Sequence, residues 1–295
     1  MAKRLKVGGG AQLDGVAIRS ERFSATVRCI KGEDPHCELV EKEIELLPKW
    51  LENIGKVPLL RGAFLPFLLM WQLKKNALIE AETKSGKKPS LSEKIIALVV
   101  VFAIFAPFIW IAEACFQPGL LKNLVALLPL VLLFVGGIVW MRKKCAHDML
   151  RYHGAEHKAV RMYDDTGELP NAAEATLYSR FHPRCGSCLV ANWFALLVVL
   201  SLAFPNLSGW WMALAILVVS TELMAVAKYG LLGKVLNGVG LALQGLTTIE
   251  PEEKHLRVAV AATRAVLILE AAQEFPELPR TRRFQNLEEL EEAVG

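Results

Sequence analysis

The chain has 295 residues, of which 53% are apolar and 22% charged, and its mean hydropathy is +0.34. That balance lies outside the usual range of soluble globular chains and reads as a membrane protein. The net charge of +4 is small, no nucleic-acid partner is expected, and the six scattered cysteines imply no disulfide framework.

Residues 1–48 read as a small β-rich segment. The basic start Met1 to Lys6 runs into Val7-Gly8-Gly9-Gly10 and not into an apolar stretch, so no secretory signal is expected. Alternation in Ala11–Ile18, Phe23–Ile30 and Cys37–Ile44, broken by Gly32-Glu33-Asp34-Pro35, predicts two or three short antiparallel strands. The three glycines read as a tight turn, and His36 as a solvated loop histidine.

Residues 49–94 read as helical. Within them 57–73 is apolar but interrupted by Arg61 and Pro66, which predicts an interfacial or re-entrant helix. A transmembrane domain over 95–229 then carries four expected spans, at about 95–115, 122–141, 188–205 and 210–229. The loop 142–187 holds eight basic residues, among them Arg142, Lys143, Arg151 and Arg161, which places both termini and this loop in the cytoplasm. Glu222 falls inside the fourth expected span. It reads either as a functional carboxylate or as one that reaches the surface beside Lys228.

Residues 230–295 read as an interfacial segment followed by a cytoplasmic helical tail. The stretch 226–246, broken by glycines and lysines, is expected to lie at the interface rather than cross. Leu256–Gln273 reads as an amphipathic helix with His255 facing solvent at its start, and Pro276–Gly295 as a peripheral tail. The expected fold class is therefore mainly α: a polytopic helical protein of the inner membrane, with the lipid bilayer as its partner.

The chemistry is concentrated in Tyr152-His153-Gly154-Ala155-Glu156-His157-Lys158. On a helix, expected over Ala146–Asp164, His153 and His157 project from one face and Glu156 lies about 60° round from His153. This HxxEH arrangement can supply two imidazole ligands to Zn²⁺ and a carboxylate within reach of a water on the same ion. His182 and Cys185, brought in by the turn at Pro183-Arg184, are the candidate third ligands. A competing set is His153, His157, Cys185 and Cys188, a closed Cys₂His₂ zinc site with no room for catalysis.

These motifs, with Gly8 to Arg19, Val57-Pro58-Leu59-Leu60-Arg61-Gly62, His182-Pro183-Arg184-Cys185-Gly186 and Leu243-Gln244-Gly245-Leu246-Thr247-Thr248-Ile249-Glu250-Pro251, resemble the YqhQ family of bacterial multi-pass membrane proteins. The resemblance implies a predicted metal-dependent enzyme with no established substrate. The YHGAEHK-type and HPRCG motifs are intact, whereas Gly10, Gln12 and Asp14 depart from the family's GGQAVIEGVMMR pattern. Three functional classes follow. The first is a metal-dependent hydrolase with His153, His157 and His182 or Cys185 as ligands and Glu156 as general base. The second is a non-enzymatic assembly or scaffold factor whose zinc is structural. A transporter using Glu222 ranks third.

Overall fold

A computed structural model of the protein describes residues 5–32, 34–44, 49–64, 142–143, 147–183, 185–186, 209–226, 230–272 and 276–295. It also describes shorter stretches at 125, 128–129, 132, 136–137, 139–140, 188, 192, 195–196, 199–200 and 203–204. The chain divides into two compact units. The first takes Met1–Leu46, Gly136–Cys185 and Leu241–Gly295; the second takes Leu47–Val135 and Gly186–Gly240.

The first unit is built on a five-stranded antiparallel sheet in the order β1-β2-β3-β4-β5. Its strands are β1 (Gly8–Ala11), β2 (Gly15–Arg19), β3 (Phe23–Ile30), β4 (His36–Glu43) and β5 (Arg280–Phe284). Side chains alternate across a strand, so Val16, Ile18, Phe23, Ala25, Val27 and Leu39 all bury on one face while their neighbours stay wetter. That face is covered by two helices of the same unit, α3 (His147–Thr166) and α7 (Glu253–Ala271). Tyr152, Ala155 and Ala159 of α3 meet Ala259, Ala262 and Val266 of α7 in one apolar core with the sheet. Small residues at these positions let the two helices approach closely. Helix α4 (Ala172–Ala175) and helix α8 (Leu287–Ala293) complete the unit, the latter sinking Leu290 into the same core.

β5 joins the sheet through charge as well as backbone. Glu41 is only 2% exposed, and its carboxylate accepts from Arg280 Nε at 2.5 Å and Nη2 at 3.1 Å, with Arg282 at 3.4 Å. Glu41 and Arg280 are register partners, so the pair forms only when the last strand docks. Cys29 and Cys37, also register partners, are joined in a disulfide. The even cysteine count thus includes one bridge where none was expected.

In the second unit, α1 (Lys49–Lys56) and α2 (Leu60–Ala63) precede α5 (Gly209–Val226), and α6 (Gly230–Thr247) begins here before running on into the first unit. Leu196 and Ile216 bury together, with Leu200, Val219 and Leu223 packed on them. Val125, Leu128, Leu132, Phe204 and Trp211 are exposed. Glu222 of α5 accepts from the Leu59 backbone N–H at 2.8 Å and from Arg61 Nε and Nη2 at 2.9 and 2.6 Å. The Arg61 guanidinium and the Leu59 N–H hold this carboxyl below the usual carboxylate range.

Several expectations are corrected. Among the described residues no helix is long and apolar enough to cross a membrane, and the structure contains a five-stranded sheet. The polytopic four-span fold and the multi-pass inner-membrane location are therefore not supported. An apolar run is also the signature of a helix packed inside a protein, and 188–205 and 210–229 contribute Leu196 and Ile216 to such packing. The expected span 95–115 lies outside the described residues, as does most of 122–141. Glu222 answers to Arg61, whose interruption of the apolar run at 57–73 is thereby explained. Gly8–Ala11 is a strand and not a turn, the supposed peripheral tail supplies β5 and α8, and His255 is fully buried.

Candidate metal centre

α3 carries the HxxEH motif over its middle two turns and ends where Gly167, at φ 78°, donates its N–H to the Tyr163 carbonyl. A left-handed glycine there satisfies a carbonyl that the helix leaves open. The segment that follows α6 lies across α3. Ile249 donates its N–H to the Leu150 carbonyl at 3.1 Å, and Lys158 pairs with Glu250 at 2.5 Å. Gly154 makes this crossing possible, because a Cβ on it would sit 2.4 Å from the Ile249 carbonyl oxygen.

The crossing fixes the first imidazole. His153 Nδ1 lies 2.9 Å from the Thr247 carbonyl oxygen, and His157 Nδ1 lies 2.5 Å from that of Arg180. A carbonyl only accepts, so each Nδ1 carries the hydrogen, and in the neutral ring Nε2 is the nitrogen left with a lone pair. One ligand atom each from His153, His157 and Cys185 lies within 4.8 Å of the others. His153 Nε2 is 3.2 Å from Cys185 Sγ, and the two imidazoles stack edge to face with centroids 4.5 Å apart. Zinc bonds of about 2.0 to 2.3 Å at a tetrahedral centre ask for ligand separations of roughly 3.3 to 3.7 Å. The set thus closes on an ion by a shift of about 1 Å, within the range of side-chain adjustment.

Glu156 stands beside this group. It is buried, and its Oε2 lies 3.5 Å from His157 Nε2. A carboxylate oxygen and an imidazole lone pair at that distance repel unless a cation or a proton lies between them. The donor set therefore suits a divalent ion such as zinc, with two nitrogens, one sulfur and a carboxylate at the side.

His182 and Cys188, both proposed from sequence, are placed elsewhere. The His182 ring is 5.7 Å from that of His157, and its Nε2 lies 3.4 Å from Asp164 Oδ2. It is not one of the three converging residues, but neighbours them. Cys188 is not among the three either; it is buried against Gly240.

The loop that delivers Cys185 is held by a residue to which sequence reasoning gave no role. Gln244 is fully buried; its Oε1 accepts the His182 N–H at 2.8 Å and its Nε2 donates to the His182 carbonyl at 2.6 Å. The Cys185 N–H then bonds the same His182 carbonyl at 3.2 Å, closing a turn. A lone glutamine in an apolar stretch was the available signal, since such an amide is buried only with its bonds made.

Next to the centre, the Tyr152 ring packs edge-on against His255, with centroids 4.7 Å apart. Burial pushes the Tyr152 hydroxyl up to about 12. His255 has both ring nitrogens buried without a hydrogen-bond partner, with Asp148 Oδ1 3.6 Å from Nε2. Burial, and after it the nearby Lys254, hold this imidazole below the usual histidine range.

A sheet-and-helix unit bearing a half-buried His₂Cys group with a flanking carboxylate defines a candidate metal-binding protein. The family described as protein of unknown function (DUF1385) matches residues 57–268, well over half of the chain, and the chain belongs to it. It is 24% identical over 310 residues to the uncharacterized protein YqhQ of Bacillus subtilis (strain 168), an alignment covering 92% of this chain and 95% of that one. No solved structure matches.

Proposed function

We propose that the chain is a zinc-dependent hydrolase whose ligands are His153, His157 and Cys185. The observation that carries this reading is the approach of one ligand atom each from His153, His157 and Cys185 to within 4.8 Å, with the Thr247 and Arg180 carbonyls engaging the two Nδ1 atoms. Three protein ligands leave a tetrahedral ion one position for a reactant, as in catalytic rather than closed structural sites. When bound, the ion supplies Lewis acidity towards a water and a substrate carbonyl.

The remaining work falls to the chain's own groups. Glu156, close to His157 Nε2 but not one of the three converging ligands, takes a proton from the attacking water. Its burial keeps bulk water from competing for that proton. His182, with Nε2 facing Asp164 and its ring 5.7 Å from that of His157, flanks the site.

The reading is tested by titrating the purified full chain with Zn²⁺ and measuring bound metal. Wild type is expected to hold about one equivalent, His153→Ala, His157→Ala and Cys185→Ser to lose it, and Glu156→Gln to keep it. Retention of zinc by all three ligand variants overturns the centre. Loss of zinc in Glu156→Gln makes the carboxylate a fourth ligand and turns the site into a closed structural one.

A further inference from the structure

β1 ends the sheet on one side, and among the described residues it pairs only with β2. Gln12 donates its backbone N–H to Gly15 at 2.8 Å, which fixes the alternation along this ribbon. Gly10 and Gly8 therefore turn their N–H and C=O groups towards Ala17 and Arg19, whereas those of Gly9 and Ala11 point away from β2. Folded proteins usually blunt such an edge with bulky or charged side chains, because it is a template for another strand. Here three of the four residues are glycines, all three exposed, and a Cβ on Gly8 or Gly10 would meet nothing within 4 Å.

Gly9 also ties this edge to the candidate centre. A Cβ on it would lie 3.2 Å from Cγ of Glu156, on the helix that packs against β1. Round α3, the core side chains Ala155 and Ala159 come first, then Glu156, then the imidazoles. Glu156 thus stands over the face of β1 that α3 covers, with His153 and His157 next to it round the helix. A strand added at the open edge runs about 4.8 Å from β1.

We propose that the substrate is an extended polypeptide segment that adds to the free edge of β1, bonding Gly9 and Ala11 through its own backbone. This rests on the hydrolase reading above and supplies its substrate class. A bare backbone edge is matched by another backbone, and it is indifferent to most side chains. Preference comes from charge: Lys6 and Arg19 are exposed beside a cavity of about 600 Å³ that runs along Gly8, Gly10 and Ala17, so segments carrying carboxylates are favoured. In the reaction, the water's oxygen bonds to the peptide carbonyl carbon and the C–N bond breaks. The proton held by Glu156 passes to the leaving nitrogen, giving a carboxylic acid and an amine.

The test uses a fluorescein-labelled decapeptide of alternating Val and Asp, and the same peptide N-methylated on alternate residues, with the zinc-loaded full chain. Anisotropy is expected to show saturable binding of the first, with affinity lower by about tenfold or more for the second, because only strand hydrogen bonds differ. Ala11→Pro, which removes one outward N–H without touching a bond to β2, is expected to weaken binding of the plain peptide similarly. No binding, or equal binding of both peptides, overturns the proposal. Glu156→Gln separates the two readings. If it and the wild type bind the plain peptide equally and neither cleaves it, the edge stands and the hydrolase reading falls; if the wild type cleaves both peptides at equal KM, the edge falls alone.

Discussion

Gln244 bonds both backbone groups of His182, accepting its N–H and donating to its carbonyl. Cys185 hangs from the same carbonyl, so one buried amide sets where this candidate ligand stands. Gln244→Glu keeps the shape and the acceptor but loses the donor, leaving a carbonyl to face a carboxylate. The expected outcome is a loss of about 2 to 4 kcal/mol in stability, since a buried carboxylate then faces a carbonyl that has lost its amide donor. Zinc affinity should fall with it, by about tenfold or more. Thermal melts with and without zinc check both; an unchanged zinc affinity would show that the loop does not depend on this clamp.

Two glycines with opposite surroundings give a paired test of packing. Gly154→Ala sets a methyl 2.4 Å from the Ile249 carbonyl, where only backbone can move, and is expected to cost about 1 to 3 kcal/mol. Gly10→Ala meets nothing within 4 Å and should leave stability within about 0.5 kcal/mol. Denaturant titration of the two proteins side by side decides it. Equal midpoints would mean that the strap formed by 247–251 does not lie against α3 as described.

The buried His255 predicts a pH dependence with a definite sign. Its native pKa is depressed by burial, so on acidification the unfolded chain takes up this proton first, from about pH 6.5 downward. Protons bound in excess by the unfolded state lower stability, which is therefore full above about pH 6.5 and declines below it. His255→Phe preserves the ring edge against Tyr152 and removes the titration, so its stability should fall less than that of wild type between pH 7 and 5. Asp148 and Glu252, both held below the usual carboxylate range by lysine hydrogen bonds, add a separate loss only at more acid pH, as they are protonated. Chemical denaturation at four or five pH values resolves the two windows.

Arg280 is expected to matter more than its exposure suggests. Arg280→Ala leaves the buried Glu41 carboxylate with the more distant Arg282 alone, at an expected cost of about 1 to 3 kcal/mol. Combining it with Glu41→Gln should recover part of that loss, because the charge to be satisfied is gone. A double-mutant cycle on unfolding free energies measures the coupling. Additive effects would exclude this pair as the tie between β4 and β5.

Local patterns in the chain told more than its composition. Alternation located the strands at Phe23–Ile30 and near Cys37, and Gly167 marked the end of α3, because period and punctuation act over a few residues. The helical spacing of His153, Glu156 and His157 fixed their relative directions in the same way. The arrangement of the remainder depended on partners remote in sequence. β5 is Arg-Thr-Arg-Arg-Phe, polar in isolation, and becomes a strand because Glu41 and the β4 backbone receive it. Gln244 gains its role only when His182 lies against it. His255 was the avoidable error, for it sits in line with Ala259, Ala262 and Val266 on the buried stripe of α7. The apolar stretches were assigned to a bilayer because hydropathy alone does not say whether lipid or protein covers them.

The pairing of β4 with β5 also orders events during biosynthesis. Register partners such as Glu41 and Arg280 are separated by most of the chain, so among the described strands the outer edge of β4 has no mate until β5 is made. At about 5 to 20 residues per second, that wait is on the order of ten to fifty seconds. Through it, a strand edge bearing Glu38, Glu41 and Lys42 is open to other nascent chains, and those charges are what discourage wrong pairing. The candidate ligands His153, His157 and Cys185 emerge before Gln244 and Thr247, so any ion captured early would meet an unclamped group.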